Sequence, residues 1–127
     1  LEAQRASLAS AEADAASTEA GLQGQQDNME IQQATIARTR TQMELSRVNF
    51  QRVADLWEAQ VIAKQEYDQK RAEWEQQQAA VREAELRLKQ MSSQIEQTRA
   101  QITSSQRRVA QVRASLPVAS HRRFPLG

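Results

Sequence analysis

The chain has no cysteine, and this excludes disulfides and zinc–thiolate sites. It has two prolines, both at or after Pro117, so the first 116 residues contain no residue that must break a helix. Only three glycines and five aromatics occur, too few for a loop-rich β fold or a large aromatic core. There is no glycine-rich phosphate loop, no metal-ligand cluster and no catalytic constellation. The single histidine, His121, stands beyond Pro117 and is read as incidental. No apolar run approaches the ~20 residues of a membrane span, and no signal peptide is visible. No charge sign dominates either: 17 basic residues face 16 acidic ones. A nucleic-acid rod would carry a basic stripe, whereas here the signs mix as on a solvated helix face. The excess at Arg107, Arg108, Arg113, Arg122 and Arg123, like the early acids Glu2, Glu12, Asp14 and Glu19, fits the helix dipole.

What the chain does have is a seven-residue apolar repeat in two phases. The first run reads Leu1, Leu8, Ala15, Leu22, Met29, Ile36, Met43, Phe50, Trp57. The second reads Tyr67, Trp74, Val81, Leu88, Ile95, Ile102, Val109, Leu116. Trp57 to Tyr67 is a step of ten, so the phase breaks once, near the middle. A sustained heptad repeat marks a coiled coil, and the single break predicts that the chain turns back there. Residues three places after each seam position complete the stripe, among them Ala11, Gln25, Gln32, Thr39, Ser46, Val53, Lys70, Ala84 and Thr98.

Folding the chain at Gln60 pairs residues whose numbers sum to 120. Ser46 then faces Trp74, Ile36 faces Ala84, Thr39 faces Val81, and Ala11 faces Val109. Most layers set a bulky residue against a small or polar one, as a constant interhelical distance requires. The expected fold is all-α: a long antiparallel two-helix hairpin over residues 1–116, with helices at about 2–57 and 63–115 and a turn near 58–63. At ~1.5 Å per residue, arms of about 55 residues make a rod roughly 80 Å long. Residues 117–127 read as an irregular tail, native or left from cloning. Gly21 and Gly24 sit inside the first helix, each costing up to ~1 kcal/mol relative to alanine, as a weak spot or a hinge. Leu1 is not an initiator methionine, and the chain is read as the middle segment of a longer one.

The segment Asn49–Gln69, NFQRVADLWEAQVIAKQEYDQ, resembles the hairpin tip of the periplasmic adaptor, or membrane fusion, proteins of tripartite efflux pumps, the HlyD-like family. That family sets an arginine, a leucine four residues later and a serine or threonine seven residues after that around the turn. Arg52 and Leu56 match, Ala63 departs, and KQEYDQ at 64–69 is similar to the family's second-helix start. The resemblance covers about 20 residues as sequence and residues 1–116 as architecture.

It implies a non-enzymatic spacer and docking arm without cofactor or metal. The full-length protein would be anchored to the inner membrane in the periplasm. Its copies would pack side by side into a tube linking an inner-membrane transporter to a TolC-like outer-membrane channel. Arg52, Leu56 and Ala63 are the expected docking residues at the tip. Leu45 and Val48 extend the Arg52–Leu56 stripe backwards and are candidates for lateral packing. The arms exceed those typical of adaptors serving proton-driven resistance pumps, which points to an ABC or major-facilitator partner. Ala63 lies opposite Trp57 in the fold, where a small neighbour suits the ring, and a serine there would have capped the second helix with Glu66. The return strand of a lipoyl-like half-domain is not visible after Leu116. Two other readings remain: a nucleic-acid-binding arm like that of seryl-tRNA synthetases, and a plain tethering rod.

Overall fold

A computed structural model describes residues 1–116, so the expected tail and His121 lie outside the described residues. The chain forms two helices, α1 (Glu2–Glu58) and α2 (Lys64–Ser115), joined by a short turn. The described residues contain no strand. Both helices run without a proline, and several of their hydroxyl residues bond back to the helix itself. Ser7, Thr18, Thr35, Thr39, Thr41 and Thr103 each donate to the carbonyl four residues back, at 2.7–3.1 Å. Such bonds satisfy the side chain without a second partner, so hydroxyls can sit on an exposed helix.

The helices pair in two compact units. One comprises Leu1–Gln26 and the chain from Ser93 onward; the other comprises Asp27–Ser92. In the first unit the buried residues are Ala11, Ile95, Thr98, Ile102 and Val109. Arg113 of α2 reaches Glu12 of α1 at 3.2 Å. In the second unit the buried residues are Gln32, Ile36, Val53, Val81 and Ala84. There Gln32 Nε2 donates across the seam to the Ala84 carbonyl at 3.0 Å, and Arg40 pairs with Glu85 at 3.0 Å.

All ten buried residues fall on the heptad stripe read from the sequence. None of the described side chains is completely enclosed. Two helices offer each residue one facing surface only, so the interior is a seam rather than a core. Its polar layers are treated unequally. Gln32 finds a backbone acceptor, whereas Gln25 Oε1 is buried with no partner among the described residues. Gly21 and Gly24 have nothing within 4 Å of where a Cβ would stand, so no close approach requires either glycine.

Candidate functional site at the hairpin tip

The tip is built by the way α1 stops. Gln60 takes a left-handed φ of 59°, and no other described non-glycine residue has a positive φ. Val61 N then donates to the Leu56 carbonyl and Gln60 N to the Trp57 carbonyl, both at 2.9 Å. These are the two bonds of a Schellman motif, with Gln60 in the position glycine usually holds. The chain reverses at the residue the heptad phase selects as the fold point. On the far side α2 opens without a side-chain cap. The Ala63 carbonyl accepts from Glu66 N at 3.2 Å and from Tyr67 N at 3.4 Å, while its methyl group caps nothing.

Behind the turn, four aromatics brace the two helices. Phe50 stacks on Trp74 with ring centres 5.3 Å apart and lies tilted against Tyr67 at 5.4 Å. Trp57 stacks on Tyr67 at 5.7 Å. Contacts of this kind contribute about 0.5–1.5 kcal/mol each beyond burial. They gather the described aromatics into one brace just below the turn. Trp57 therefore takes Tyr67 as its neighbour, and Ala63 remains exposed. Trp57 itself is 37% exposed, because at its level the facing chain is turn rather than helix.

The residues expected to dock lie on this braced tip but off its seam. Arg52 is exposed and takes part in no ion pair among the described residues. By contrast Arg47 is held by Glu44 at 2.6 Å and by Gln51 at 3.0 Å. The Arg47–Glu44 hydrogen bond lowers the carboxyl pKa and raises that of the guanidinium. Leu56 is exposed, as are Leu45 and Val48 further down α1. Ala63 is exposed in the turn. The structure adds Val61, at 68% the most exposed large apolar residue among those described. Sequence reading passed over it; its only signal was an apolar residue directly after the fold point, where Schellman turns place one.

Among the described residues no three His, Cys, Asp or Glu side chains gather to hold a metal. The pKa shifts of Glu44 and Arg47 come from their mutual hydrogen bond on the open surface. The grooves beside the seam, such as one of ≈ 340 Å³ lined by Glu12, Ala15, Glu19, Val109 and Arg113, are open flanks of a helix pair. No described helix is long and apolar enough to cross a membrane. What the tip offers is a surface: a free cation, two exposed apolar residues joined through a rigid turn, and a stiff aromatic base.

Compared with known proteins, residues 27–98 match the family model described as "RND MFP, alpha-helical hairpin domain". The match spans more than half of the chain and includes the turn. No curated protein and no solved structure matches significantly.

Proposed function

The chain belongs to the RND MFP α-helical hairpin family, and from that premise we propose that its tip docks end-on against a TolC-like outer-membrane channel while its arms pack beside other copies into a tube. Membrane fusion proteins of this family are periplasmic, membrane-anchored, non-catalytic adaptors of RND-type efflux systems, working between an inner-membrane transporter and an outer-membrane channel. The observation that carries the docking reading is the exposure of Leu56 and Val61 on a turn braced by aromatics, next to an unpaired Arg52. Apolar residues held rigidly in water at the end of a helix pair cost free energy unless another chain covers them. Arg52 supplies a fork of donors suited to carbonyls or carboxylates on a partner's tip. Leu56 supplies a knob that gains only on burial. Ala63 contributes backbone and a small contour rather than a hydroxyl.

The family description favours an RND-type transporter as the inner-membrane partner over the ABC or major-facilitator type that arm length suggested. Leu45 and Val48, exposed on the same helix, suit lateral contact between copies. A nucleic-acid arm is disfavoured because the surface cations Arg40, Arg47, Arg71, Arg87 and Arg113 are paired with acids of the chain itself.

The test replaces Arg52→Asp and Leu56→Ser separately in the full-length adaptor. Each change is expected to abolish drug resistance and channel pull-down, with helicity and melting temperature near wild type. Ala63→Ser should be neutral or mildly stabilising, since it restores a helix cap. Full function in both Arg52→Asp and Leu56→Ser would leave the hairpin a plain spacer.

A further inference from the structure

The turn at the tip lacks the residues that usually hold a chain reversal. It consists of Ala59, Gln60, Val61, Ile62 and Ala63, with neither glycine nor proline among them. Gln60 carries the left-handed φ of 59° that glycine would accept without a Cβ penalty. The two helix ends that meet there are poorly finished. The last turn of α1 holds Asp55 and Glu58 and no basic residue, so two carboxylates stand at the negative end of the helix dipole. At the start of α2, Ala63 stands where a capping side chain would. Trp57 and Val61 are exposed beside the turn. Each of these local features suits an uninterrupted helix better than a reversal, and none of the five turn residues is a helix breaker.

The seam can run through such a helix without a gap. Phe50, Val53, Trp57, Gln60, Ala63, Tyr67 and Lys70 follow one another at steps of 3, 4, 3, 3, 4 and 3. Heptads alternate steps of three and four, so the one irregularity is the doubled step of three at Gln60. That is a stammer, which a coiled coil absorbs by overwinding locally. The steps read the same from either end, so the stripe is symmetric about Gln60. Two identical helices laid antiparallel, with Gln60 on Gln60, pair residues whose numbers sum to 120. The hairpin's own seam contacts in the second unit cluster about that sum: Gln32 with Ala84, Arg40 with Glu85, and Phe50 with Tyr67 and Trp74. Each can form between two chains with the same atoms as within one. New layers arise only in the middle. Trp57 meets Ala63 of the second copy, a bulky residue against a small one as elsewhere in the seam. Gln60 meets Gln60 of the second copy, where each carboxamide can donate an N–H to the other's carbonyl.

We propose that two copies of this chain exchange arms. The turn opens into helix, α1 and α2 become continuous through residues 59–63, and the resulting helix pairs antiparallel with that of the second copy about a two-fold axis at Gln60. The interface is isologous and closes at two chains. The exchange keeps the seam, removes the left-handed residue and both unfinished helix ends, and covers Trp57. The lost freedom of association opposes it, so the dimer replaces the hairpin as concentration rises. Short hinge loops under strain are the setting in which arms swap between copies. The dimer has no turn, and on the docking reading above it withdraws Arg52, Leu56 and Val61 from end-on contact with a channel.

The test uses two single-cysteine variants of the full chain, Ile36→Cys and Ala84→Cys, unfolded together, refolded at high concentration and oxidised. In intact hairpins each thiol lies inside its own seam, where another chain does not reach. In the exchanged dimer the two face each other, and a disulfide-linked heterodimer is expected. A chain carrying both cysteines is the control for disulfide geometry, and Thr39→Cys with Val81→Cys gives a second facing pair. Sedimentation equilibrium from micromolar to millimolar chain should show a monomer giving way to a dimer and nothing larger. Gln60→Gly, which eases the turn and weakens both continuous helices, should raise the dissociation constant roughly tenfold or more. A chain that stays monomeric at every concentration would overturn the proposal. So would a dimer that forms neither interchain disulfide while the two-cysteine chains close their own, since that dimer would hold two intact hairpins. A dimer that Gln60→Gly leaves unchanged or tightens would overturn it as well. No channel enters the experiment, so its failure leaves the docking reading standing.

Discussion

At the scale of single residues, the structure shows where the sequence is not optimised for stability. Gln60 holds a left-handed φ of 59° that glycine adopts without a Cβ penalty. Gln60→Gly should stabilise the hairpin by roughly 0.5–1 kcal/mol, measured by denaturant melts, because the gained ease in the folded turn exceeds the added entropy of the unfolded chain. Unchanged or lower stability would mean that the Gln60 side chain holds the turn by a contact of its own. Two further weak points lie in the first unit. Gln25 Oε1 is buried without a partner, and Gly24 has open space where a Cβ would go. Gln25→Leu should stabilise by about 1 kcal/mol by removing a desolvated acceptor. Gly24→Ala should add ~0.5–1 kcal/mol from helix propensity alone. Gln32→Leu should come out near neutral, since Gln32 already spends its amide on the Ala84 carbonyl. Salt bridges are a smaller lever, because most are exposed pairs three or four residues apart on one helix.

At the scale of elements, the seam was legible and its tip end only partly so. A period of seven can bury only one stripe per helix, so the positions of Ile36, Val53, Val81, Ile95 and Val109 followed from spacing alone. The turn at Gln60 followed from the phase break, because an antiparallel return must re-phase the repeat. The aromatic brace did not follow. Level arithmetic sets Phe50 against Lys70, yet its ring reaches both Tyr67 and Trp74, a turn to either side, since large planar side chains extend beyond their own layer. Trp57 was expected inside the seam and is 37% exposed, because heptad spacing does not reveal where the facing helix ends. The docking roles proposed for Arg52, Leu56 and Ala63 came from family resemblance; the heptad could say only that Arg52 and Leu56 lie off the seam. The brace makes a sharp prediction. Trp74→Ala should destabilise by roughly 2–4 kcal/mol, through lost burial and the lost Phe50 stack. Glu73→Ala, one residue away and paired with Lys70 at 3.3 Å on a half-exposed surface, should stay within about 0.5 kcal/mol of wild type. Equal melting shifts for the two would mean that the seam runs elsewhere.

At the scale of the whole molecule, the account divides labour along the chain. The seam needs only apolar spacing and tolerates Gln and Thr layers such as Gln32 and Thr98. The outward faces and the tip carry what a simple helix pair has no use for: exposed Ile31, Leu45, Leu86 and Val61, and an unpaired Arg52. Such residues gain free energy only when other chains arrive, which is the physical content of an adaptor's role. Docking through the tip is the central claim, and Val61 offers the most direct probe of it. Its 68% exposure means that a photoreactive residue can replace it without disturbing the seam. In the full-length adaptor, irradiation of Val61→p-benzoylphenylalanine in cells should capture a TolC-like outer-membrane channel, whereas the same substitution at Leu86 should capture only another copy of the adaptor. Capture of the channel from Leu86 and not from Val61 would contradict the account.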